Sequence, residues 1–280
     1  MIEHPMINFI KRKIEKLKLK RTFKEYGYEI KTFSIKDIGK VEYAQWLHPF
    51  EGPKEVTDSN VNFYRQLARP GAMIIDIGGH TGDTTVPMAL AVGKGGLVLA
   101  LEPNKYVYKI LEKNSRLNQA HTNIIPVCFA ATSEDGDFVF NYSDASFNNG
   151  GFLSEIHTKN HHHNYTLKVT GKNLQHYLLK NYSKELEKLE LIKVDAEGYD
   201  KEILKTIPEI LSRYKPKLMV ECYKRLDQAE RFELFDIIHG HGYTLYYLEN
   251  FEESGKKIPV QRSEMMDRKH FEMMAIPEGR

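Results

Sequence analysis

A chain of 280 residues with 41% hydrophobic and 28% charged side chains has the composition of an ordinary folded protein, long enough for one large α/β domain with an extension. Its net charge of +2 excludes a strong overall attraction to nucleic acid, and its two cysteines, Cys128 and Cys222, exclude a disulfide framework or a cysteine-based zinc site. Both cysteines fall in expected buried strands, as reduced thiols of a cytoplasmic protein would. No apolar run reaches the roughly 18 residues of a membrane span, and no apolar core follows the basic N-terminus as in a signal peptide.

Residues 7–24 carry Lys11, Arg12, Lys13, Lys16, Lys18, Lys20, Arg21 and Lys24 against Glu15 alone, while Ile7, Ile10, Ile14 and Leu17 recur at helical spacing. This predicts a basic amphipathic helix, read first as a solvated helix packed on its own domain or on another subunit of a homo-oligomer. Peripheral contact with an anionic membrane surface is the functional alternative. YEIKTFSI and KVEYAQWL, the latter with the only tryptophan, Trp46, are short β-like runs. Residues 1–57 are therefore expected to form a basic helix and adaptor, and residues 58–280 the main domain.

Residues 58–69 follow a helical pattern with Asp58 or Ser59 as N-cap and Pro70-Gly71 as the stop. MIIDI (73–77) reads as a buried strand, followed by a turn at Gly78, Gly79 and Gly82 and a helix over 83–92. LVLALEP (97–103), a helix in YVYKILEKNSRLN, and NIIPVCFAA (123–131) continue the rhythm. Three β-α units in succession predict right-handed crossovers and a parallel sheet buried on both faces, hence the nearly unbroken apolar strands. After residue 132 the rhythm breaks. SEDGDFVFNY has the turn and alternation of a hairpin or edge excursion, and 143–164 is polar, Gly/Asn-rich and carries four histidines. A substrate loop or insertion at about 133–170 is the expectation, since loops this long are functional or disordered. A strand and short helix in TLKVTGKNLQHYLLKN return the chain to LELIKVDAEG (189–198), a helix in YDKEILKTIPEILSRY and strand KLMVECY. A helix in DQAERFELFDIIHGHG and strands in YTLYYLEN and HFEMMAIP complete it, with 251–268 as an exposed charged loop.

Ligands of open parallel sheets sit beyond the carboxyl ends of the strands. Those ends are Asp76, Glu102, the turn Ala130-Ala131-Thr132, Asp195 with Glu197, and Glu221. Glu102 can take both ribose hydroxyls of an adenosine, in NAD as in S-adenosylmethionine. The glycines at 78, 79 and 82 depart from the G-x-G-x-x-G spacing of a pyrophosphate cradle, and Asp76 and Asp83 flank the turn. Two carboxylates there repel phosphate and suit the ammonium and sulfonium of S-adenosylmethionine. Simple N-capping is the structural alternative for Asp83, and a Rossmann-type NAD(P)-dependent oxidoreductase is the rival function.

PGAMIIDIGGHTGDTT, LALEPNKYVYKILEKNSRLN and LIKVDAEGYDKEIL together resemble the FkbM family of class I S-adenosylmethionine-dependent methyltransferases, which mostly methylate hydroxyl groups on sugars and natural products. The resemblance covers roughly residues 58–223. Its most specific pieces are Glu102-Pro103-Asn104 and the K-x-D-x-E-G of Lys193, Asp195, Glu197 and Gly198; His80 stands where the family often has a non-ionisable residue. The implied fold is Rossmann-like α/β: a seven-stranded, mostly parallel sheet of order 3-2-1-4-5-7-6 with the seventh strand antiparallel, and helices on both faces. By this resemblance Asp76, Gly78, Gly79, His80, Gly82 and Asp83 surround the methionine part of the cofactor, with Gly82→Ala blocked sterically. Glu102 takes the ribose, Pro103 and Asn104 the adenosine surroundings, Ala130 and Ala131 the adenine edge, and Asp195 the cofactor side of the reacting centre.

Methylating an alcohol needs in-line placement and a base or metal for the hydroxyl proton. Asp195 or Glu197 is the preferred base, with Lys193 orienting. The less favoured alternative has Asp195 and Glu221 hold Mg²⁺. Helix capping by Glu197 to Asp200 and a salt bridge at Glu221 are the structural readings. His157, His161, His162 and His163 cannot all face one ion and read as a solvated loop, with His162 the candidate to reach the hydroxyl from a lid. Asn148-Asn149-Gly150-Gly151 offers hydrogen bonds to a sugar. The expected acceptor is thus a small molecule or glycan. An RNA methyltransferase is a further alternative, disfavoured by the lack of an N-P-P-Y-type motif or a basic stripe.

Overall fold

A computed structural model describes residues 17–148, 151–153, 165–249 and 257–279. Residues 17–21 are helical, and the rest of the expected basic helix lies outside the described residues. β1 (Tyr28–Ile35) and β2 (Gly39–Trp46) pair antiparallel as a hairpin, followed by α1 (Asp58–Leu67). Three units then alternate: β3 (Met73–Ile77), α2 (Thr85–Val92), β4 (Leu97–Leu101), α3 (Lys105–Arg116) and β5 (Ile124–Val127). β6 (Ala130–Thr132), β7 (Gly136–Tyr142), β8 (Phe152–Leu153) and β9 (Tyr165–Asn173) come next, with α4 (Leu174–Asn181). The chain continues through β10 (Leu189–Val194), α5 (Asp200–Lys205), α6 (Pro208–Tyr214), β11 (Lys217–Cys222) and α7 (Gln228–Gly240). It closes with β12 (Tyr243–Leu248), β13 (Lys257–Pro259) and β14 (Phe271–Pro277).

The large sheet has eight strands in the order β5-β4-β3-β10-β11-β14-β12-β13. β5, β4, β3, β10 and β11 are mutually parallel, and β14 is antiparallel to both neighbours. Every residue of β3 and β4 is buried, because helices cover both faces and leave no solvent side to alternate with. One face packs on α1, α2 and the hairpin through Tyr64, Val86, Met88 and Tyr43. The other packs on α4 to α7 through Leu178, Leu204, Ile210, Leu211 and Leu234. Strand order reverses between β3 and β10, which opens a crevice at their carboxyl ends. The register sets Asp76 beside Lys193 and Glu221 beside Glu272. The two-residue period then puts Asp195 and Glu221 on the same sheet face as Lys193.

The break after residue 132 is a second sheet, of four strands in the order β6-β9-β7-β8, with its own small core of Phe140, Tyr142, Leu167 and Val169. The expected strand 123–131 is therefore two. β5 is an edge strand carrying Pro126, which has no N–H to extend a ladder, and the chain crosses to the small sheet at β6. Cys128 lies at that crossing and is exposed, against the expectation of burial, whereas Cys222 is buried.

Local signals moved the other boundaries. Thr57, not Asp58 or Ser59, caps α1; Asp58 instead accepts the Lys36 N–H at 2.8 Å. The helix expected to run through 199–214 breaks before Pro208, whose ring and missing N–H suit the first turn of a new helix. Part of the expected 251–268 loop is ordered as β13 and a 3₁₀ turn at Arg262–Met266, so the sheet gains an eighth strand. The hairpin is stitched to the main domain. Asn114 of α3 is fully buried; its Oδ1 accepts the Ala44 N–H at 2.7 Å, and its amide donates to the Ala44 and Thr81 carbonyls at 3.1 and 2.7 Å.

Candidate functional site

The crevice at the β3–β10 reversal is a cleft open to solvent, at the place where open parallel sheets bind their ligands. Ile77, Gly78 and His80 from the first turn, Leu101 to Asn104 from the end of β4, and Phe129 to Ala131 line one side. Phe140, Tyr142, Asn148 and Gly151 come from the small sheet and its loop, and Asp195 to Tyr199 from the end of β10.

Glu102 is 7% exposed. Its Oε1 accepts the Asn104 N–H at 2.8 Å and its Oε2 the His80 N–H at 3.1 Å. Burial raises its pKa, opposed by His80 and by those two backbone donors. Asn104 caps α3 by accepting the Tyr106 N–H at 3.0 Å and donates to the Phe147 carbonyl at 2.6 Å. Phe147 stacks on Tyr106 at 5.3 Å and meets Tyr142 edge-on at 5.1 Å. The loop that carries Phe147 is held from behind. Asp144 accepts the N–H groups of Ser146 and Asn148, and His48 Nε2 lies 3.7 Å from Asp144 Oδ1. His48 Nδ1 accepts the Phe50 N–H, so the ring is neutral with its proton on Nε2; burial lowers its pKa despite Asp144. Residues 20–24 strap across the same loop, with the Ala145 N–H on the Lys20 carbonyl and the Lys24 N–H on Ser146 Oγ.

The two acids of the glycine turn do not face the cleft. Asp76 is fully buried; its Oδ2 accepts the hydroxyls of Thr84 and Thr85 at 3.1 and 2.6 Å, and its Oδ1 lies 3.4 Å from Lys193 Nζ. Asp83, ahead of the N-cap Thr84, is paired with Lys54 at 2.6 Å. Burial opposes ionisation of Asp83, but Lys54 outweighs it and holds the pKa below the usual value. The repulsion of phosphate expected from these carboxylates is therefore largely cancelled by lysines distant from them along the chain. Gly79 and Gly82 also lie behind the cleft wall. A Cβ on Gly82, at φ +97°, would meet Leu111 of α3 at 3.2 Å, so Gly82→Ala strains the turn rather than filling the cofactor's space. Gly78 is the tight point: at φ +79° its Cβ would sit 1.9 Å from the Asp195 carbonyl.

On the β10 side, Lys193 is 4% exposed and bridges Asp76 and Asp195, the latter at 3.3 Å. Burial disfavours its charge, but Asp195 and Asp76 overcome this and raise its pKa well above the usual value. Glu197 sits at φ +52°. Burial, then Asp195, raises its pKa, while Lys224 and a hydrogen bond from Tyr223 pull it down. Asp200 opens α5 and ties down the loop before it: its carboxylate accepts the Gly198 and Ala196 N–H groups at 3.0 and 3.3 Å.

Glu221 is buried behind Asp195, its pKa pushed up to about 10 by burial and by the neighbouring acids. Asp195, its expected partner for a cation, has its Oδ2 3.3 Å from Lys193 Nζ. The side chains that do converge on Glu221 are His270 and Glu272, which the sequence reading missed. Glu272 lies at the start of an antiparallel strand and His270 just ahead of it, whereas in the parallel strands it is the last residues that reach the ligand edge. Phe140 and Tyr142 were also missed, although the alternation of DFVFNY marked one face of that strand. His162, with His157, His161 and His163, and Asn149-Gly150 lie outside the described residues.

A doubly covered parallel sheet with a glycine turn after its first strand, a buried carboxylate ending its second and acids ending its fourth has the make-up of an S-adenosylmethionine-dependent methyltransferase. The chain belongs to the FkbM methyltransferase family, whose domain model matches residues 76–245, more than half its length. This sets aside the NAD(P)-dependent reading. A comparison with curated proteins gave no match. Among solved structures, an O-methyltransferase from Bacillus cereus in complex with SAH is 14% identical, with 80% of this chain and 84% of that one covered at a TM-score of 0.44. A methyltransferase FkbM from Methylobacillus flagellatus KT is 14% identical, covering 76% of this chain and 50% of that one at 0.41. A SAM-dependent O-methyltransferase from Thermotoga maritima is 14% identical, covering 91% and 79% at 0.41. The family assignment rests on the sequence match. Among the described residues no helix is long and apolar enough to cross a membrane.

Proposed function

We propose that this chain methylates a hydroxyl group of a sugar, glycan or natural product, with Glu197 as the base that takes the hydroxyl proton. The observation that carries the reading is that Glu197 and Asp195 line the same cleft as Glu102. The residues present fit S-adenosylmethionine: a buried carboxylate fixed by two backbone donors for a ribose, apolar walls at Leu101, Phe129, Ala130 and Ala131 for an adenine, and, among the described residues, acids but no lysine or arginine along the lining. Bound there, the cofactor supplies an electrophilic methyl group.

The protein's own part is to orient, exclude water and hold a proton. Asp195, held 3.3 Å from Lys193 Nζ, lines the cleft where a sulfonium would be stabilised by a carboxylate. Glu197 lies in a drier setting, and a carboxylate raised above its usual pKa is the better proton acceptor. Loop 144–148, clamped by His48 and the 20–24 strap, closes one wall.

The test is transfer of a labelled methyl group to a panel of sugars and hydroxylated metabolites, with the product bond read by mass spectrometry and NMR. Methyl groups found only on nitrogen would overturn the proposal, and full activity in Asp195→Asn would remove Asp195 from the reacting centre. Glu197→Gln should lower kcat by about 10²–10⁴-fold with S-adenosylhomocysteine affinity nearly unchanged. In the wild type, activity should rise with pH as Glu197 deprotonates, with its acid limb above the ordinary glutamate range. Glu197→Gln should lose that limb.

A further inference from the structure

Because β14 runs antiparallel to β11, its first residues rather than its last arrive at the carboxyl edge of the sheet. The register sets Glu272 beside Glu221, with His270 just ahead of the strand. One ligand atom from each of Glu221, His270 and Glu272 lies within 4.8 Å of the other two. Glu221 is only 5% exposed. Its Oε1 is 3.5 Å from His270 Nδ1, and its Oε2 is buried with no hydrogen-bond partner. Among the described residues no lysine or arginine pairs with Glu221 or Glu272; Lys193, the cation on that sheet face, is engaged by Asp76 and Asp195.

We propose that Glu221, His270 and Glu272 form a binding site for a divalent transition-metal ion of the Mn²⁺ to Zn²⁺ class, beside the acceptor end of the cleft. Two carboxylate oxygens and one imidazole nitrogen match the preferences of such ions, whereas Mg²⁺ favours oxygen and water alone. A dication would neutralise both glutamates and give the orphaned Oε2 a partner, relieving the cost of a buried unpaired carboxylate. The site differs from an Asp195–Glu221 pair in residues and in metal preference. Its binding chemistry stands apart from methyl transfer. Its role, holding an oxygen atom of the acceptor next to Asp195, rests on the function proposed above.

The experiment titrates Mn²⁺ into the metal-free full chain, following loss of the free-ion EPR signal, with Zn²⁺ as competitor. S-adenosylhomocysteine binding is measured calorimetrically on the same preparations. One Mn²⁺ per chain, displaced by Zn²⁺, is expected, with affinity lowered at least about tenfold in Glu221→Gln and in Glu272→Gln, each having lost a charged ligand. Melting of the metal-free variants should match or exceed that of the wild type, because an amide in place of a carboxyl relieves the crowding of buried acids; this separates lost binding from lost folding. No Mn²⁺ binding at about 1 mM ion, or equal binding in both variants, overturns the site. Metal binding that persists without S-adenosylhomocysteine binding would break the methyl-transfer reading and leave the site standing.

Discussion

On the adenosine side of the cleft the carboxylate of Glu102 is buried, yet each of its oxygens holds a backbone N–H, from His80 and from Asn104. On the acceptor side Glu197, Glu221 and Glu272 gather round Asp195, itself paired with Lys193, and burial raises the pKa of those three glutamates, that of Glu272 to about 7. The first arrangement is finished before any ligand arrives, so it can recognise a ribose with little reorganisation. The second carries negative charge that its own side chains do not balance, and it suits a partner that brings a positive charge or gives up a proton. Recognition and reaction are thus divided between backbone donors and side-chain acids. The two sides meet where Gly78 touches the Asp195 carbonyl.

The largest expected effect strikes that contact. Gly78→Ala combines a left-handed backbone with a Cβ 1.9 Å from the Asp195 carbonyl, and should cost about 3–5 kcal/mol in chemical denaturation. A loss below about 1 kcal/mol would mean the sides can part freely. Glu102→Ala should come next, leaving the His80 and Asn104 N–H groups without their acceptor and weakening S-adenosylhomocysteine by about 10–100-fold in calorimetry. Undiminished affinity would shift recognition away from Glu102. Asn114→Ala removes three buried hydrogen bonds between α3, the hairpin and the turn. It should lower stability by about 2 kcal/mol, and faster hydrogen exchange in β2 would locate the damage. The smallest effect is Lys54→Met, which frees Asp83 of its half-buried partner. A change below about 1 kcal/mol in melting and little change in cofactor affinity are expected; a large gain or loss of affinity would return Asp83 to the cleft.

The features legible in the sequence were those set by neighbours along the chain. MIIDI, LVLAL and LELIKV announce doubly covered strands by composition, and Glu102, Asn104, Asp195 and Glu197 were found because a parallel strand's last residues point to the ligand edge. What stayed hidden depends on pairing across long separations. Nothing near Asp83 in the chain announces Lys54, nor anything near Asp76 announces Lys193, so two neutralised acids read as bare ones. Phe140 and Tyr142 reach the cleft because an insertion folds into a sheet of its own. His270 and Glu272 escaped because an antiparallel strand reverses which of its ends matters.

That reversal also sets an order of assembly. The Glu102, Asn104 and His80 network and the wall at Phe147 draw their hydrogen bonds from residues up to about 150, while the strands beside them are completed by β9 and β10. The Glu221, His270 and Glu272 cluster waits for β14, which must slip between β11 and β12 after both have been synthesised. The nucleoside side of the cleft is thus built from contacts close along the chain, and its acidic centre depends on β14.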